Sequence, residues 1–268
     1  IILLTIVLSY FFYRFLNKFI YHILPLWRMI NSKLLLKLFE KGVIMSDKNK
    51  KILIVTTNYR GNENSDIKET GVWLEEFAVP YLVFKDTGYE ITVASPMGGL
   101  SPVDENSMSC SNPMEWDECI KILRETTRLS EVDYKNYDAL FLPGGHGPMF
   151  DLAQDLILKE IVEYFYENDK VLSAVCHGPA GFIQAQDKHG EPVVKGKKVT
   201  SFTNKEEHIM KLDQAVPFLL ETKLRELGAK FEDSIPWSEH VCVDGKIITG
   251  QNPQSSLLLS EKVIAALS

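Results

Sequence analysis

From Met45 to the end of the chain, short continuous apolar runs alternate with stretches in which apolar residues recur every three or four positions. The first pattern is typical of buried strands and the second of helices. Strands are predicted over residues 51–57, 89–94, 139–142, 171–175 and 198–200, and near Val241 and Ile247. Helices are predicted over residues 70–87, 116–126, 152–168 and about 214–227, with a last helix from Ser255.

Strands separated by helices of this length predict an α/β fold. We expect a doubly wound, mostly parallel sheet with helices on both faces, as in flavodoxin-like proteins. Ligands of such sheets bind at the carboxyl ends of the strands. Residues 45–268 contain no internal repeat or low-complexity linker, so we expect them to form one domain.

The predicted strand at 171–175 ends in Cys176, which has the surroundings of a nucleophile elbow. Ala174 and Gly178, two positions before and after the cysteine, are small enough for the close backbone approach in such a turn. Pro179 suits the first turn of a following helix. A helix N-terminus behind the sulfur favours thiolate, which predicts a lowered pKa for Cys176. The alternative is a buried structural cysteine at the end of a core strand.

Two further features are expected near the same edge of the sheet. Gly144 and Gly145 follow the strand at 139–142, and bare backbone N–H groups there could approach a reacting atom as an oxyanion hole requires. Glu75 and Glu76 lie in the first long helix, where adjacent side chains point about 100° apart. Glu76 is nearer the apolar side marked by Trp73 and is the candidate site residue. Two solvated surface acids remain the alternative.

Composition excludes several classes of function. The formal charge is −7, and no basic stripe is interleaved with aromatic residues, so we expect no nucleic-acid partner. The four cysteines have irregular spacing, which predicts neither a metal pattern nor a disulfide framework and fits a reducing compartment. The cysteines are Cys110, Cys119, Cys176 and Cys242.

Residues 1–44 differ from the rest of the chain, because they combine apolar runs with six basic residues and one acidic residue. Their first apolar run is interrupted at Arg14, before the length of about 20 residues that a spanning helix needs. Three interpretations stay open for 1–44: an artefactual extension ahead of a start at Met45, an amphipathic membrane-surface anchor, and a cleaved leader. A membrane is expected as a partner only if the segment is genuine.

Several ordered motifs, taken together, resemble the class I glutamine amidotransferase-like superfamily, in the branch of PfpI proteases and the Parkinson-disease-associated redox protein. The resemblance covers about residues 50–267 and is strongest to the heat-shock glyoxalase III and chaperone subgroup. The motifs are Thr70-Gly71 with Glu76 and Pro80, Ala94-Ser95-Pro96, Leu142-Pro143-Gly144-Gly145-His146-Gly147, Cys176-His177-Gly178-Pro179, Phe202-Thr203 with Glu206-Glu207, and Asp244-Gly245 with Gln251-Asn252-Pro253.

The resemblance implies site residues one by one. Cys176 would be the nucleophile, His177 its neighbour in a Cys-His-acid triad, and Glu207 the third member, with Glu206 as the alternative. Glu76 would meet the sulfur, and the backbone N–H groups of Gly145 and His177 would form the oxyanion hole. No role is implied for His146, His208 or His240, which are interpreted as satisfied or surface histidines.

The implied activity is glutathione-independent conversion of methylglyoxal-type 2-oxoaldehydes to 2-hydroxy acids, as in glyoxalase III (D-lactate dehydratase), with a role in carbonyl-stress protection and protein quality control. We expect no cofactor and no metal, because no pair of histidines plus a carboxylate can be matched to the zinc site of larger relatives. We expect a small aldehyde substrate, a homodimer and a cytoplasmic location. A redox-regulated holdase chaperone and a small-substrate cysteine peptidase or amidase are the alternative functions.

Overall fold

The computed structural model describes residues 49–63, 67, 69–108 and 112–268. The interpretations of residues 1–44, of Met45 and of Cys110 lie outside these residues. In the described part of the chain, no helix is long and apolar enough to span a bilayer.

The described strands are arranged in two sheets. Their bounds are β1 (Lys51–Val55), β2 (Glu90–Ser95), β3 (Thr127–Arg128), β4 (Ala139–Leu142), β5 (Val171–Val175), β6 (Lys198–Val199), β7 (Lys230–Phe231), β8 (Val241–Asp244) and β9 (Ile247–Gly250). The larger sheet has the order β3-β2-β1-β4-β5-β9-β8, and β6 pairs with β7 in the smaller one. All neighbours run parallel except β8 and β9, which confirms the mostly parallel sheet.

Helices cover both faces of the larger sheet. Their bounds are α1 (Leu74–Thr87), α2 (Trp116–Leu123), α3 (Leu156–Glu167), α4 (Asn204–Met210), α5 (Leu220–Glu226) and α6 (Ser256–Leu267). The crossover from β1 to β2 runs one way along the sheet, and the crossover from β4 to β5 runs the other way. Because such crossovers are right-handed, α1 and α3 lie on opposite faces. Helix α6 packs beside α1, which completes the doubly wound arrangement.

The core follows from this layering. Strands β4 and β5 are buried along their whole length, as expected for parallel strands covered on both sides. The direction of winding reverses between β1 and β4, and the crevice at such a switch point is the usual ligand site of an open α/β sheet. The loops that follow β1, β4 and β5 therefore meet at the edge where the candidate residues were predicted.

Several predicted helices differ in detail. The helix predicted over 152–168 begins at Leu156, after a separate 3-10 turn, because Asp155 caps it by accepting from the Leu158 N–H. The helix predicted over 116–126 ends at Leu123, and the one predicted over 214–227 begins only at Leu220.

The helix predicted from Thr70 begins only at Leu74, because residues 70–73 are extended: the Val72 N–H donates to the Pro102 carbonyl, and the Asp104 N–H donates to the Val72 carbonyl. The helix predicted directly behind Cys176 is a short 3-10 turn, Gly178–Phe182. Pro179 fits the start of that turn, but the turn is too short to carry the dipole of an α-helix.

Candidate active site

Cys176 occupies a strained turn between β5 and the 3-10 turn Gly178–Phe182. Its φ of +58° lies in the left-handed region, which costs a residue with a Cβ about 1–2 kcal/mol. The backbone on both sides is fixed: the Cys176 N–H donates to the Gly250 carbonyl, and the Cys176 carbonyl accepts from the Phe202 N–H, both at 2.9 Å. Strain held in place by its surroundings is typical of a functional turn. The predicted nucleophile elbow is present in the structure.

Glycines let the backbone close around this turn. A Cβ on Gly178 would lie 2.1 Å from the Leu142 carbonyl oxygen at the end of β4. A Cβ on Gly144 would lie 2.7 Å from the His177 backbone nitrogen and 2.6 Å from a carboxylate oxygen of Glu76. Neither position can hold a larger residue without moving the groups that form the site.

A hydrogen-bonded chain starts at the sulfur. The Cys176 Sγ lies 3.3 Å from Nδ1 of His177, and Nε2 of His177 lies 2.7 Å from Oε2 of Glu207. All three side chains are buried. The fold therefore brings together the three residues that the sequence suggested as a triad.

Glu207, and not Glu206, is the acid that contacts His177. Both glutamates lie in the first turn of α4, but Glu206 points to a different set of partners. It closes a capping box with Thr203, and its Oε1 accepts from the backbone N–H of Trp237 at 2.8 Å and from the side-chain amide of Asn252 at 2.9 Å. Glu206 thus ties neighbouring loops together.

His146 is one of the three histidines for which the sequence implied no role. It is buried, and its Nε2 lies 2.8 Å from Oε1 of Glu207. Each oxygen of Glu207 thus binds one imidazole, and the rings of His146 and His177 are 4.2 Å apart. The sequence feature that could have indicated a role for His146 is its position directly after Gly144-Gly145 at the end of β4. His208 is exposed as expected, and His240 lies beside Cys242.

Burial and neighbouring charges determine which groups carry protons in the hydrogen-bonded series of Cys176, His177 and Glu207. Burial raises the pKa of Glu207, but His177 and His146 outweigh this effect and hold it well below its usual range. Burial lowers the pKa of His177, and His146 lowers it further, against the opposing effect of Glu207. His177 is therefore neutral at neutral pH. Because an ionised carboxylate only accepts, the His177 proton is on Nε2 and the lone pair of Nδ1 faces the sulfur.

Glu76 completes the group on the other side of the cysteine. It is fully buried, its Oε2 accepts from the Gly144 N–H at 2.9 Å, and its Oε1 has no partner of ordinary hydrogen-bond geometry. Burial raises the pKa of Glu76 well above its usual value, and the facing Cys176 thiol offsets this only in part. Glu76 is thus a protonated acid beside the sulfur, whereas its neighbour Glu75 is half-buried.

The lowered pKa predicted for Cys176 is wrong. Burial raises the pKa of the thiol well above its usual value, and the Glu76 carboxyl raises it further. The expected helix N-terminus behind the sulfur is only a 3-10 turn, so its stabilisation of a thiolate is small. Nδ1 of His177, 3.3 Å from the sulfur, is in place to accept the thiol proton.

Both backbone groups expected to form an oxyanion hole lie beside the cysteine. The Gly145 N–H donates to the Cys176 sulfur, which stabilises negative charge there. Gly145 has a φ of +88°, and a Cβ on it would lie 2.2 Å from the Gly71 carbonyl oxygen. The backbone nitrogen of His177 lies at the start of the 3-10 turn, close to Gly144.

Among the residues that the structure describes, two groups of side chains could hold a metal ion. His146, His177 and Glu207 offer ligand atoms within 4.8 Å of one another, although the sequence suggested no pair of histidines plus a carboxylate. Their donor atoms already hydrogen-bond to each other. Glu232, His240 and Cys242 form the second group.

Comparison with known proteins places the chain among named relatives. A family model described as DJ-1/PfpI family matches residues 67–266. Glyoxalase 3 of Candida albicans is 36% identical over 234 residues, which cover 81% of this chain and 98% of the relative. The glutathione-independent glyoxalase HSP31 of Saccharomyces cerevisiae is 32% identical over 233 residues, 81% of this chain and 98% of the relative. The crystal structure of glyoxalase III from Candida albicans superposes with a TM-score of 0.73 at 35% identity, covering 82% of this chain and 98% of that one.

Proposed function

This chain belongs to the DJ-1/PfpI family, and we propose that it is a glutathione-independent glyoxalase, a glyoxalase III-type lyase that converts methylglyoxal-type 2-oxoaldehydes to 2-hydroxy acids. The predicted activity agrees with the names of the relatives, at 32–36% identity across most of the chain. We further propose that residues 45–268 form the catalytic domain.

One observation carries the proposal: a buried cysteine lies between a neutral base and a protonated acid. Nδ1 of His177 is 3.3 Å from the sulfur, and the protonated carboxyl of Glu76 faces it from the other side. A 2-oxoaldehyde needs these groups, because its conversion to a hydroxy acid adds water overall and moves one hydrogen between adjacent carbons.

The first step forms a covalent adduct. His177 accepts the thiol proton, and the sulfur of Cys176 attacks the aldehyde carbon to give a hemithioacetal. The N–H groups of Gly145 and His177 stabilise the charge on the aldehyde oxygen as it develops. The protein supplies the thiol that free glutathione supplies in other glyoxalases, which is why no glutathione is needed.

The next steps move a proton and release the product. A base removes the proton from C1 of the adduct, and C2 receives a proton through an enediol, which leaves a thioester of the hydroxy acid on Cys176. Glu76, whose Oε1 has no ordinary partner, is our candidate for this transfer: it first gives its proton to the oxygen of the hemithioacetal, and the carboxylate so formed takes the C1 proton and delivers it to C2. His177 is the alternative base, if it gives the thiol proton to that oxygen instead. Water then cleaves the thioester, releases the hydroxy acid and restores the thiol.

The other functions weighed from the sequence are less favoured. The two relatives from Candida albicans and Saccharomyces cerevisiae are named as glyoxalases, and these names do not favour a holdase chaperone as the main role. Cys176 is only 4% exposed, so a peptide segment would not reach it without opening the site. A cysteine peptidase or amidase reaction is therefore restricted to small substrates.

The test is methylglyoxal consumption without glutathione, with the hydroxy acid product quantified. Wild type and Cys119→Ala should consume methylglyoxal and form lactate, whereas Cys176→Ala should form none. Cys119 is a matched control, because it is a buried free cysteine without a histidine partner among the described residues. Lactate formation by Cys176→Ala at the wild-type rate would refute the proposed nucleophile. Suppression of aggregation, measured in parallel, would support the holdase role if only that activity is found.

A homodimer and a cytoplasmic location stay predictions. Light scattering coupled to size-exclusion chromatography of the full chain measures the first, and fractionation of cells that express it measures the second. A monomer mass or recovery with membranes would contradict these predictions without affecting the proposed chemistry.

A further inference from the structure

A second cluster of chemically reactive side chains lies at the edge of the larger sheet. His240 precedes the edge strand β8 and Cys242 lies within it, two residues apart, so their side chains project from the same face. Glu232 directly follows β7 and reaches the same point. The Cys242 Sγ lies 3.6 Å from Nε2 of His240 and 3.9 Å from Oε2 of Glu232.

These separations match those between the ligands of one tetrahedral ion. With a Zn–S bond of about 2.3 Å and a Zn–N bond of about 2.0–2.1 Å, sulfur and nitrogen ligands of one zinc ion lie about 3.6 Å apart. All three ligand atoms of the cluster lie within 4.8 Å of one another. Cys242 is buried, His240 is half-buried and Glu232 is exposed, which leaves a path from solvent. We propose that Glu232, His240 and Cys242 bind a borderline-soft divalent cation of the Zn²⁺ class, with water as the fourth ligand.

The chemistry of the donors favours this class of ion. A set of one thiol, one imidazole and one carboxylate suits Zn²⁺ better than Mg²⁺ or Ca²⁺, which prefer oxygen ligands. Binding forms a metal–sulfur bond and releases the thiol proton to solvent. Lys198 lies 3.4 Å from Oε1 of Glu232, but this pair is exposed and weak, and it leaves Oε2 facing the sulfur.

The cluster also brackets a loop that leads to the candidate active site. Glu232 and His240 stand at the two ends of residues 233–239, which include Trp237. The Trp237 ring packs on Phe202 at 5.4 Å between centroids, and Phe202 packs on His177 at 4.6 Å. A bound ion would join the two ends of this loop and restrict its motion against His177.

Binding of Co²⁺ and Zn²⁺ to the full chain tests the proposal. Wild type should bind one Co²⁺ at this site with a thiolate-to-metal absorption band in the near ultraviolet, and Zn²⁺ should displace it. Cys242→Ser should abolish the band, and His240→Gln should weaken binding by at least about 10-fold, since it removes a ligand. Cys119→Ser is the matched control for a buried thiol, and Glu207→Gln removes the other possible metal group. Both should keep the band.

Limited proteolysis is a second measurement, which tests the effect of the ion on the loop at residues 233–239. Zn²⁺ should slow proteolysis within residues 233–239 in wild type and in Cys119→Ser, but not in Cys242→Ser. If Cys242→Ser does not fold, His240→Gln replaces it, because a half-buried residue tolerates that change. A band that persists at full strength in Cys242→Ser and His240→Gln, or a wild type that binds neither ion, would overturn the proposal.

Discussion

At the scale of single residues, Glu75 and Glu76 show how strongly position decides chemistry. The two acids are adjacent on α1, yet Glu76 is fully buried against the cysteine and Glu75 is half-buried. Burial raises the pKa of Glu76 well above its usual value, so the same side-chain type becomes an acid that can donate a proton at neutral pH.

Glu76→Gln should strongly reduce turnover of methylglyoxal. The amide keeps a hydrogen-bond donor beside the sulfur but cannot exchange a proton between C1 and C2. We expect a loss of about 100- to 10,000-fold in kcat, typical of a removed general acid–base. Glu75→Gln is the matched control and should change kcat little. Equal turnover in the two variants would remove Glu76 from the reaction and leave His177 as the base.

The pH dependence of thiol labelling should report the same pair. Burial and the Glu76 carboxyl both raise the pKa of Cys176, so its reaction with iodoacetamide should still increase with pH above neutrality in wild type. Glu76→Gln removes a group that can ionise beside the thiolate, so the increase should begin at lower pH. Peptide mass mapping of Cys176 over a pH series measures both curves. An unchanged onset in Glu76→Gln would show that the two groups are not coupled.

Stability should depend on the same carboxyl. A carboxyl with a raised folded-state pKa contributes stability that is present below its unfolded pKa, near 4.3, and is lost as pH rises toward the folded pKa. Glu76→Gln should therefore gain in Tm relative to wild type as pH increases from about 4 toward 7. Thermal unfolding of both proteins at several pH values measures this difference, with a smaller change expected for Glu75→Gln, whose charge adds to the raised pKa of Glu76. A Tm of Glu76→Gln that stays constant or falls relative to wild type over this range would contradict the raised pKa of Glu76.

At the scale of elements, the turn after β5 matters more than the helix that was expected to follow it. The positive φ of Cys176 and the absence of a side chain at Gly178 let the turn fit beneath the end of β4. The sulfur is thus positioned by backbone packing, and its charge is controlled by Glu76, Gly145 and His177.

Gly178→Ala should destabilise the protein and reduce activity together. The added Cβ would lie 2.1 Å from the Leu142 carbonyl oxygen, and a backbone group in a central strand cannot move aside cheaply. We expect a cost of about 1–3 kcal/mol or more in unfolding free energy, as for overpacking. Gly190→Ala is the comparison, because it adds strain at positive φ but meets no atom within 4 Å. Denaturant unfolding of both variants compares the cost of the clash with the cost of the strained backbone conformation. A smaller loss of unfolding free energy in Gly178→Ala than in Gly190→Ala would contradict the clash.

At the scale of the whole molecule, the sheet gathers residues that are far apart in the chain. Glu76, His146, Cys176 and Glu207 come from α1, from the loop after β4, from the turn after β5 and from α4. The first three meet because β1, β4 and β5 end at the same edge of the larger sheet and the winding reverses between β1 and β4. Glu207 reaches them from α4, which follows β6 of the smaller sheet.

A chain that begins at Met45 should fold and consume methylglyoxal as fast as the longer chain. The reason is that the residues proposed for catalysis all lie within residues 67–266, the part of the chain that matches the family model. Circular dichroism and the methylglyoxal assay compare the two proteins. Loss of folding in the shorter chain, or firm membrane association of the longer one alone, would show that residues 1–44 contribute to the native protein.

The sequence by itself determined the class of fold and the place of the cysteine that we propose as the nucleophile. Apolar runs and helical spacing are local properties, so the strands at 139–142 and 171–175 and the elbow at Cys176 could be predicted from neighbouring residues. The motifs also pointed to the family, which the comparison confirms. The choice of Glu207 over Glu206, the contact of His146 with Glu207, and the cluster of Glu232 with His240 and Cys242 could be decided only by the tertiary structure. These contacts join residues distant in sequence, and burial, which sets the pKa of Cys176 and Glu76, exists only once the chain has folded around them.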